Sequence, residues 1–336
     1  MTDLTRRSAI IAGLATTAGA GFPAAAKAKK PQPVVFHTDI GGDIDDTWAL
    51  LLLLRRPELD LKLVVTEGSN AIYRGRLAAK LLALGGRTDV ALAIGADGRD
   101  DHAAQSDWIG DYQLKDYPKP VTTDGAQAMI DLIMSSKERV TVISVGPATT
   151  AAEALRREPK IASNARFVGM FGSVRTGYGA GTKPEIEYNV KLDPKALQTV
   201  FAADWTCTIT PLDTCGLLVL DGALMQAVRH SLDPFAQACI RNSEVWLPSA
   251  TWMPKDFDLT KTSSTLFDAV AVVMACDESD LVMETLPLTV RDDGMMLIDP
   301  KGHKVRVATA WKNLAGFKSR MVADLTSKPQ RPRDIA

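Results

Sequence analysis

The sequence predicts a single α/β domain with a mainly parallel central sheet and helices on both faces. Short runs rich in Val, Ile and Thr recur along the chain, and helical patterns separate several of them. Strand–helix alternation on this scale favours βαβ units. No internal repeat or linker divides the chain, and its 336 residues are enough for one large core.

The predicted elements follow from where apolar residues cluster and how they are spaced. Strands are predicted at residues 34–38, 62–66, 91–94, 139–145, 166–170 and 206–211. Helices are predicted between several of these strands, at residues 47–55, 71–84, 125–135 and 149–157. Residues 220–275 are expected to be mostly helical. Residues 287–308 return to a strand pattern, with turn signals at 292–294 and 300–302.

The overall composition is that of an ordinary soluble globular protein, with 46% hydrophobic and 24% charged residues. A formal net charge of −1 gives no electrostatic reason to expect nucleic acid or an anionic membrane as a partner. We therefore expect a small-molecule substrate. The composition does not determine an oligomeric state, and a dimer or a tetramer is compatible with it.

The first thirty residues have the pattern of an export signal. Arg6 and Arg7 form a twin-arginine pair, and an apolar run of about 14 residues follows from Ala9 to Phe22. That run is shorter than the roughly 20 residues needed to span a bilayer. We predict a twin-arginine-type signal peptide at 1–30 and a catalytic domain at 31–336. The mature protein is expected in the periplasm, free of the membrane after processing.

The four cysteines give no metal-binding pattern, because none forms a Cys-x-x-Cys pair and no histidine lies nearby at zinc-ligand spacing. A disulfide between Cys207 and Cys215 is compatible with an oxidising compartment. Twin-arginine export carries folded proteins, so reduced core cysteines are equally compatible. The sequence leaves both alternatives open.

Four aspartates lie within eight positions directly after the first predicted strand. They are Asp39, Asp43, Asp45 and Asp46. So many carboxylates at one strand end repel each other unless a cation or a ligand offsets their charge. Capping of the next helix accounts for one or two of them. Oxygen ligands favour a hard cation, and Ca²⁺ fits best.

Two further loops follow predicted strands at the same edge of the sheet. Residues 66–70 follow the second strand, and residues 146–150 follow the strand at 139–145. Ligands of open α/β sheets bind beyond the carboxyl ends of the strands. Each loop alone has an ordinary structural explanation, with Asn70 as a helix cap and Gly146-Pro147 as a turn. Together they predict one cleft.

The motifs in this order resemble those of the inosine–uridine preferring nucleoside hydrolases. The segment from Thr38 to Asp46 is similar to the longer form of that family's N-terminal aspartate signature. Four more segments look like later family motifs: Val65 to Asn70, Val145 to Thr150, Met170 to Gly172, and Glu187 to Asn189 with Asp193-Pro194. Asp268 stands where a His-Asp pair is common. The resemblance covers most of the chain after the predicted signal peptide and implies that family's Rossmann-like open sheet.

The resemblance implies a role for each matching position. Asp39, Asp46 and Asp268 would ligate Ca²⁺ through carboxylates, and Thr149 through its main-chain carbonyl. Asp39 would also be the general base toward a water held by the ion. The ribose hydroxyls would be bound by Asp45, Asn70, Glu187 and Asn189. The implied reaction is hydrolysis of the N-glycosidic bond of a ribonucleoside or related N-riboside, through an oxocarbenium-like transition state.

Several positions depart from the family pattern. Phe267 replaces a histidine that often protonates the departing base, and phenylalanine cannot donate a proton. His37 replaces an aspartate, and we expect it to be a buried supporting residue rather than a base. Asp43 inherits no role. Besides Phe267, the aromatic residues that could contact the base are Trp246, Trp252 and Trp108.

Two other classes of function compete with the hydrolase. A periplasmic binding protein could keep the ribose and metal site but lack turnover, and Phe267 favours that alternative. A phosphotransferase could also use strand-end aspartates with Mg²⁺, but an Asp-x-Asp directly at the strand end is missing. The hydrolase is the leading hypothesis.

Overall fold

A ten-stranded sheet forms the centre of the computed structural model, which describes residues 30–98 and 102–327. Its order is β4-β3-β2-β1-β5-β6-β7-β10-β8-β9. The strands are β1 (Gln32–Thr38), β2 (Leu59–Ser69), β3 (Ala91–Gly98), β4 (Val121–Thr122), β5 (Val140–Ser144), β6 (Ala165–Met170), β7 (Cys207–Thr210), β8 (Leu281–Val290), β9 (Met296–Ile298) and β10 (His303–Trp311). Every predicted strand is present.

The sheet is mainly parallel, as the sequence predicts. All pairings from β4 across to β7 are parallel, and β10 joins β7 in the same sense. β8 pairs antiparallel with both β10 and β9. Strand β1 lies between β2 and β5, so the strand order reverses there. In open α/β sheets such a reversal opens a crevice at the carboxyl ends of the strands.

Helices cover both faces of this sheet. They are α1 (Asp45–Leu53), α2 (Ala71–Leu84), α3 (Ser106–Ile109), α4 (Gly125–Ser135), α5 (Thr149–Arg157), α6 (Ile161–Asn164), α7 (Tyr188–Leu192), α8 (Pro194–Ala202), α9 (Leu212–Cys215), α10 (Gly222–His230), α11 (Pro234–Trp246), α12 (Phe267–Met274) and α13 (Leu314–Thr326). Short 3₁₀ turns occur at Leu114–Asp116 and Leu247–Ser249.

Alternation along β1 assigns its side chains to two cores. Val34 and Phe36 face the core covered by α1, α2, α11 and α12, whereas Val35 faces the core covered by α4, α5 and α8. Every residue of α1 is buried, and so are residues 268–274 of α12. These two helices therefore pack in the interior, and the acidic residues in their first turns are buried with them.

Several elements differ from the prediction in their extent. Helix α1 begins at Asp45 rather than at residue 47, because acidic side chains are favoured in a first helical turn. Strand β8 begins at Leu281 and continues through Pro287, a residue that weakens a strand pattern. The helical stretch predicted for 220–275 is interrupted at residues 250–266, where an isolated bridge joins Asp221 to Thr262.

The described chain forms one compact unit that begins at Pro31. The predicted signal peptide at 1–30 lies almost wholly outside the described residues. Within 30–98 and 102–327, no helix is both long and apolar enough to cross a lipid bilayer. All four cysteines are free thiols in the structure, including the buried Cys207 and Cys215.

Candidate active site

The candidate site lies at the reversal of strand order, where β1 and β5 end. Asp39 directly follows β1, and Gly146 belongs to the loop after β5. A Cβ atom on Gly146 would lie 2.7 Å from the main-chain nitrogen of Asp39 and 2.8 Å from its Oδ1. On the other side, a Cβ on Gly68 would lie 3.4 Å from the Asp39 Cβ. The two glycines let the end of β2 and the loop after β5 close around Asp39.

A second group of carboxylates is brought together by α1 and α12. Asp45 and Asp46 begin α1, and Asp268 is the second residue of α12. Their ligand oxygens lie within 4.8 Å of one another, and each residue is buried, with an exposed fraction of 2–4%. Asp268 lies more than two hundred positions after Asp46 in the sequence. The packing of α12 against α1 makes the two residues neighbours.

Burial dominates the electrostatics of this group. It raises the pKa of Asp45, Asp46 and Asp268 well above the ordinary value, and the neighbouring carboxylates raise each pKa further. Three buried acids with no equal countercharge are costly to ionise. Their oxygens are the ligand type that hard divalent cations prefer, so the donor set fits a metal of this kind.

Asp39 is electrostatically linked to this group but has a partly different environment. Burial raises its pKa, the Arg74 guanidinium opposes that shift, and Glu67 adds to it. Arg74 is itself buried and donates to the main-chain oxygens of Ser69 (2.6 Å) and Ile40 (3.1 Å). The same arginine thus ties the loop after β1 to the end of β2.

The remaining aspartate of the signature has a local structural contact. The Asp43 carboxylate accepts a hydrogen bond from the main-chain nitrogen of Ile44 at 2.6 Å. Burial raises the pKa of Asp43 to about 6. Nearby, the Thr38 hydroxyl donates to Asp46 and accepts from the Ile40 nitrogen at 3.1 Å. These contacts shape the turn that carries the acidic residues.

The predicted residues of the two other loops lie at the same edge of the sheet. Asn70 precedes α2 in the left-handed conformation, with φ of 57°, and makes no side-chain cap for that helix. Asn70 therefore occupies the cap position of α2 without capping the helix through its side chain. Thr149 is the first residue of α5, and its hydroxyl donates to Asp193 Oδ2 at 2.9 Å. Their predicted roles toward sugar and metal stay predictions.

Glu187 and Asn189 join the site from the segment that begins α7. The Glu187 carboxylate accepts from the main-chain nitrogens of Gly172 (3.0 Å) and Asn189 (2.7 Å), and burial raises its pKa to about 7. The Asn189 amide donates to the Val145 oxygen at 2.9 Å and to the Met170 oxygen at 3.3 Å. Both side chains are therefore fixed at the ends of β5 and β6.

The four aromatic candidates occupy different places. Phe267 begins α12 next to Asp268 and is half-buried. Trp252 is 57% exposed and contacts Trp246, which is completely buried, at 6.0 Å between ring centroids. Trp108 packs under the Lys80 ammonium, 4.5 Å from the ring centroid. Only Phe267 directly adjoins a residue of the carboxylate group, and complete burial keeps Trp246 from a ligand.

A buried set of polar contacts centred on His37 and Glu67 was not predicted from the sequence, apart from the burial of His37. The ring of His37 lies between Ser144 Oγ, at 2.9 Å from Nδ1, and Glu67 Oε2, at 2.7 Å from Nε2. The same Glu67 oxygen accepts from the main-chain nitrogen of Thr150 at 2.8 Å. The expectation of a buried, supporting His37 is confirmed. The sequence signal that could have found Glu67 is a carboxylate directly after the buried run from Leu63 to Thr66, at the edge of the sheet where the site lies.

Removing Glu67 is expected to destabilise the protein. In Glu67→Ala the Thr150 nitrogen and the His37 ring lose a buried partner, which costs about 1–3 kcal/mol for each stranded group. Glu67→Gln keeps an oxygen acceptor of the same shape and should lose less. Urea unfolding of both variants measures the difference. Equal stability of Glu67→Ala and the unmodified protein would contradict the structural role.

Gly146→Ala is expected to displace Asp39. The new methyl group would lie under 3 Å from the main-chain nitrogen, the Cβ and the Oδ1 of Asp39, so backbone must move, at a cost of about 1–3 kcal/mol. We expect a lower Tm and a lower rate of ribose release. Gly181→Ala serves for comparison: its Cβ meets nothing within 4 Å, so its loss of stability measures only the strain of a side chain at a φ of +75°. A normal rate in Gly146→Ala would show that the Asp39 position is not critical.

The fold and site together define an α/β protein with a carboxylate-lined, small-molecule site. The family model described as inosine-uridine preferring nucleoside hydrolase matches residues 34–319, so the chain belongs to that family. This membership confirms the resemblance seen in the motifs. It also confirms the predicted class of enzyme, a hydrolase that acts on N-glycosyl compounds.

Individual relatives and solved structures agree with this assignment. The inosine-uridine preferring nucleoside hydrolase of Leishmania major is 27% identical over 83% of this chain and 92% of its own length. A non-specific ribonucleoside hydrolase of Klebsiella pneumoniae is 32% identical, but the match covers only 58% of this chain and 64% of that protein. A plant nucleoside hydrolase structure has a TM-score of 0.74 at 20% identity, covering 89% of this chain and 100% of its own. The last likeness supports the fold alone.

Proposed function

We propose that this protein hydrolyses the N-glycosidic bond of ribonucleosides or related N-ribosides and releases ribose and the base. The observation that carries the proposal is the position of Asp39. It lies at the reversal of strand order, between Gly68 and Gly146, and is electrostatically linked to the buried Asp45–Asp46–Asp268 group. Family membership supplies the reaction class.

The proposed mechanism assigns each residue a task suited to its surroundings. Breaking the glycosidic bond builds positive charge on the sugar ring, which nearby carboxylates stabilise. Asp39 accepts a proton from the attacking water, and Asp45, Asn70, Glu187 and Asn189 orient the ribose hydroxyls. A divalent cation held by the carboxylates would offset their repulsion and would lower the pKa of a water bound beside it.

We propose Ca²⁺ as that cation, held by Asp39, Asp46, Asp268 and the main-chain oxygen of Thr149. Ca²⁺ accepts six to eight oxygen ligands in flexible geometry, whereas Mg²⁺ requires a near-ideal octahedron. Carboxylates from α1 and α12 together with ribose hydroxyls would supply such a set. The 4.8 Å grouping also includes Asp45, so this residue is close enough to serve either the sugar or the cation.

We also propose export to the periplasm through the twin-arginine signal at 1–30. The support is the Arg6-Arg7 pair and the short apolar run after it. Fusion of residues 1–32 to a reporter that works only after export would test the signal, with Arg6→Lys and Arg7→Lys together as the control. A homo-oligomer, either a dimer or a tetramer, stays a proposal that sedimentation would test.

Ribose release is the decisive test of the proposed function. A reducing-sugar assay over a panel of ribonucleosides, with Ca²⁺ present, should detect turnover. A competing function is nucleoside binding without catalysis, which Phe267 favours because it cannot protonate a leaving base. Tight nucleoside binding with no detectable release of ribose would support that alternative and contradict the proposed hydrolase activity.

A further inference from the structure

Two aromatic side chains form a wall beside the candidate sugar site. The Tyr178 ring contacts the Phe267 ring edge-on, with centroids 6.0 Å apart and an angle of 86°. The Tyr178 hydroxyl accepts from the main-chain nitrogen of Tyr188 at 2.9 Å. Because Phe267 adjoins Asp268 and Tyr188 adjoins Glu187, the wall spans from the carboxylate group to α7. We call this pair the Tyr178–Phe267 wall.

The loop that carries Tyr178 is held in place by its own hydrogen bonds. The Tyr178 nitrogen donates to Glu185 Oε1 at 2.8 Å, and the Glu185 nitrogen donates to the Ser173 hydroxyl at 3.0 Å. Asp213 accepts from the nitrogens of Val174 and Arg175 at 2.9 and 2.8 Å. The wall is therefore pre-organised, yet Tyr178 remains 39% exposed and can meet a ligand.

The wall offers an aromatic surface but a poor proton donor. Phe267 has no acidic hydrogen. Burial, and then the nearby Glu187, raise the pKa of Tyr178 above that of an ordinary phenol. A neutral nucleoside base leaves as an anion unless it is protonated, and a general acid typically contributes about 10²–10⁴-fold to such a step. The wall gives a neutral leaving group little help.

The charge of the site favours a different kind of substrate. Five acidic side chains and one buried arginine, Arg74, belong to the described site; the acids are Asp39, Asp45, Asp46, Asp268 and Glu187. A cation over an aromatic face is attracted to the ring electrons. A positively charged aglycone would be attracted both by the acidic side chains and by the aromatic rings. It would also depart as a neutral molecule, which needs no proton.

We propose that the preferred substrates are N-ribosides with a positively charged leaving group, such as N-ribosylpyridinium compounds, and that the Tyr178–Phe267 wall binds the charged ring. This inference rests on the proposed function. In the reaction the C1′–N bond breaks and its electron pair goes to the ring nitrogen, which becomes neutral. The water oxygen bonds to C1′, and the water proton goes to Asp39. No other reactant is needed.

The test compares nicotinamide riboside, which is cationic, with uridine and inosine, which are neutral, using the full-length protein and Ca²⁺. We expect kcat/KM for nicotinamide riboside to be about 10²-fold higher. Tyr178→Leu should lower kcat/KM for nicotinamide riboside by about 2- to 30-fold and change the neutral substrates little. Tyr178→Phe keeps the ring and is the matched control. Phe267→His should raise kcat/KM for uridine and so reduce the ratio of kcat/KM between nicotinamide riboside and uridine.

Each outcome separates this inference from the function on which it rests. No ribose from either substrate class would overturn the proposed hydrolase and the inference together. Faster release from uridine or inosine would overturn the inference alone, and so would an equal loss for all substrates in Tyr178→Leu. Thermal unfolding checks that each variant is folded, and Phe267→His provides a second test if Tyr178→Leu is unstable.

Discussion

Asp39→Asn is expected to lower kcat/KM for ribose release by about 10²–10⁴-fold, the usual contribution of a positioned general base. The amide has the same shape as the carboxylate but cannot accept the proton of the attacking water. Because burial raises the pKa of Asp39, a neutral group is favoured at this position in the absence of metal. The metal-free variant should therefore be at least as stable as the unmodified protein at neutral pH, which thermal unfolding would show.

Asp43→Asn is the matched control for this experiment. It removes a carboxylate from the same loop, and its amide oxygen can still accept from the Ile44 nitrogen that Asp43 contacts at 2.6 Å. We expect its rate to stay within a few-fold of the unmodified protein. Similar losses in both variants would indicate a general effect of charge, and a normal rate in Asp39→Asn would remove Asp39 as the base.

The parts of the fold that the sequence predicts well are those determined by local pattern. Helices α2, α4 and α5 begin and end at the predicted residues, because their apolar spacing and flanking residues agree. Strand β8 was predicted too short, because Pro287 weakens a pattern that pairing with β10 completes. Local propensity gives way where tertiary pairing supplies the stabilising contacts.

The residues of the site could be named from the sequence, with Asn70, Thr149, Glu187 and Asn189 coming from the family resemblance, but their geometry could not. Asp39, Asp45 and Asp46 are visible because four aspartates in one short loop are unusual, and Asp268 came from the family resemblance. The approach of Gly146 to Asp39, the His37–Glu67 contact and the Tyr178–Phe267 wall depend on which strands and loops become neighbours. Such contacts join distant positions, and no local pattern encodes them.

Removal of divalent cations with a chelator is expected to abolish ribose release and to lower the free energy of unfolding increasingly as pH rises. Burial raises the pKa of Asp43 to about 6 and that of Glu187 to about 7. It also raises the pKa values of Asp45, Asp46 and Asp268. A carboxyl whose pKa is higher in the folded state favours folding while it is protonated. That stabilisation is complete below about pH 4 and is lost as pH rises through the folded-state values.

Ca²⁺ should reverse this loss, because it binds the ionised carboxylates of the folded protein and not those of the unfolded chain. At about a thousand times its Kd, a ligand specific for the folded state adds about 4 kcal/mol. Urea unfolding between pH 4 and pH 8, with chelator, Ca²⁺ or Mg²⁺, measures the effect. A site with more than six oxygen ligands should respond more strongly to Ca²⁺ than to Mg²⁺. If stability and ribose release were unchanged by the chelator at every pH, the carboxylate group would have to be stabilised by protons alone, and the cation would lose its place in the mechanism.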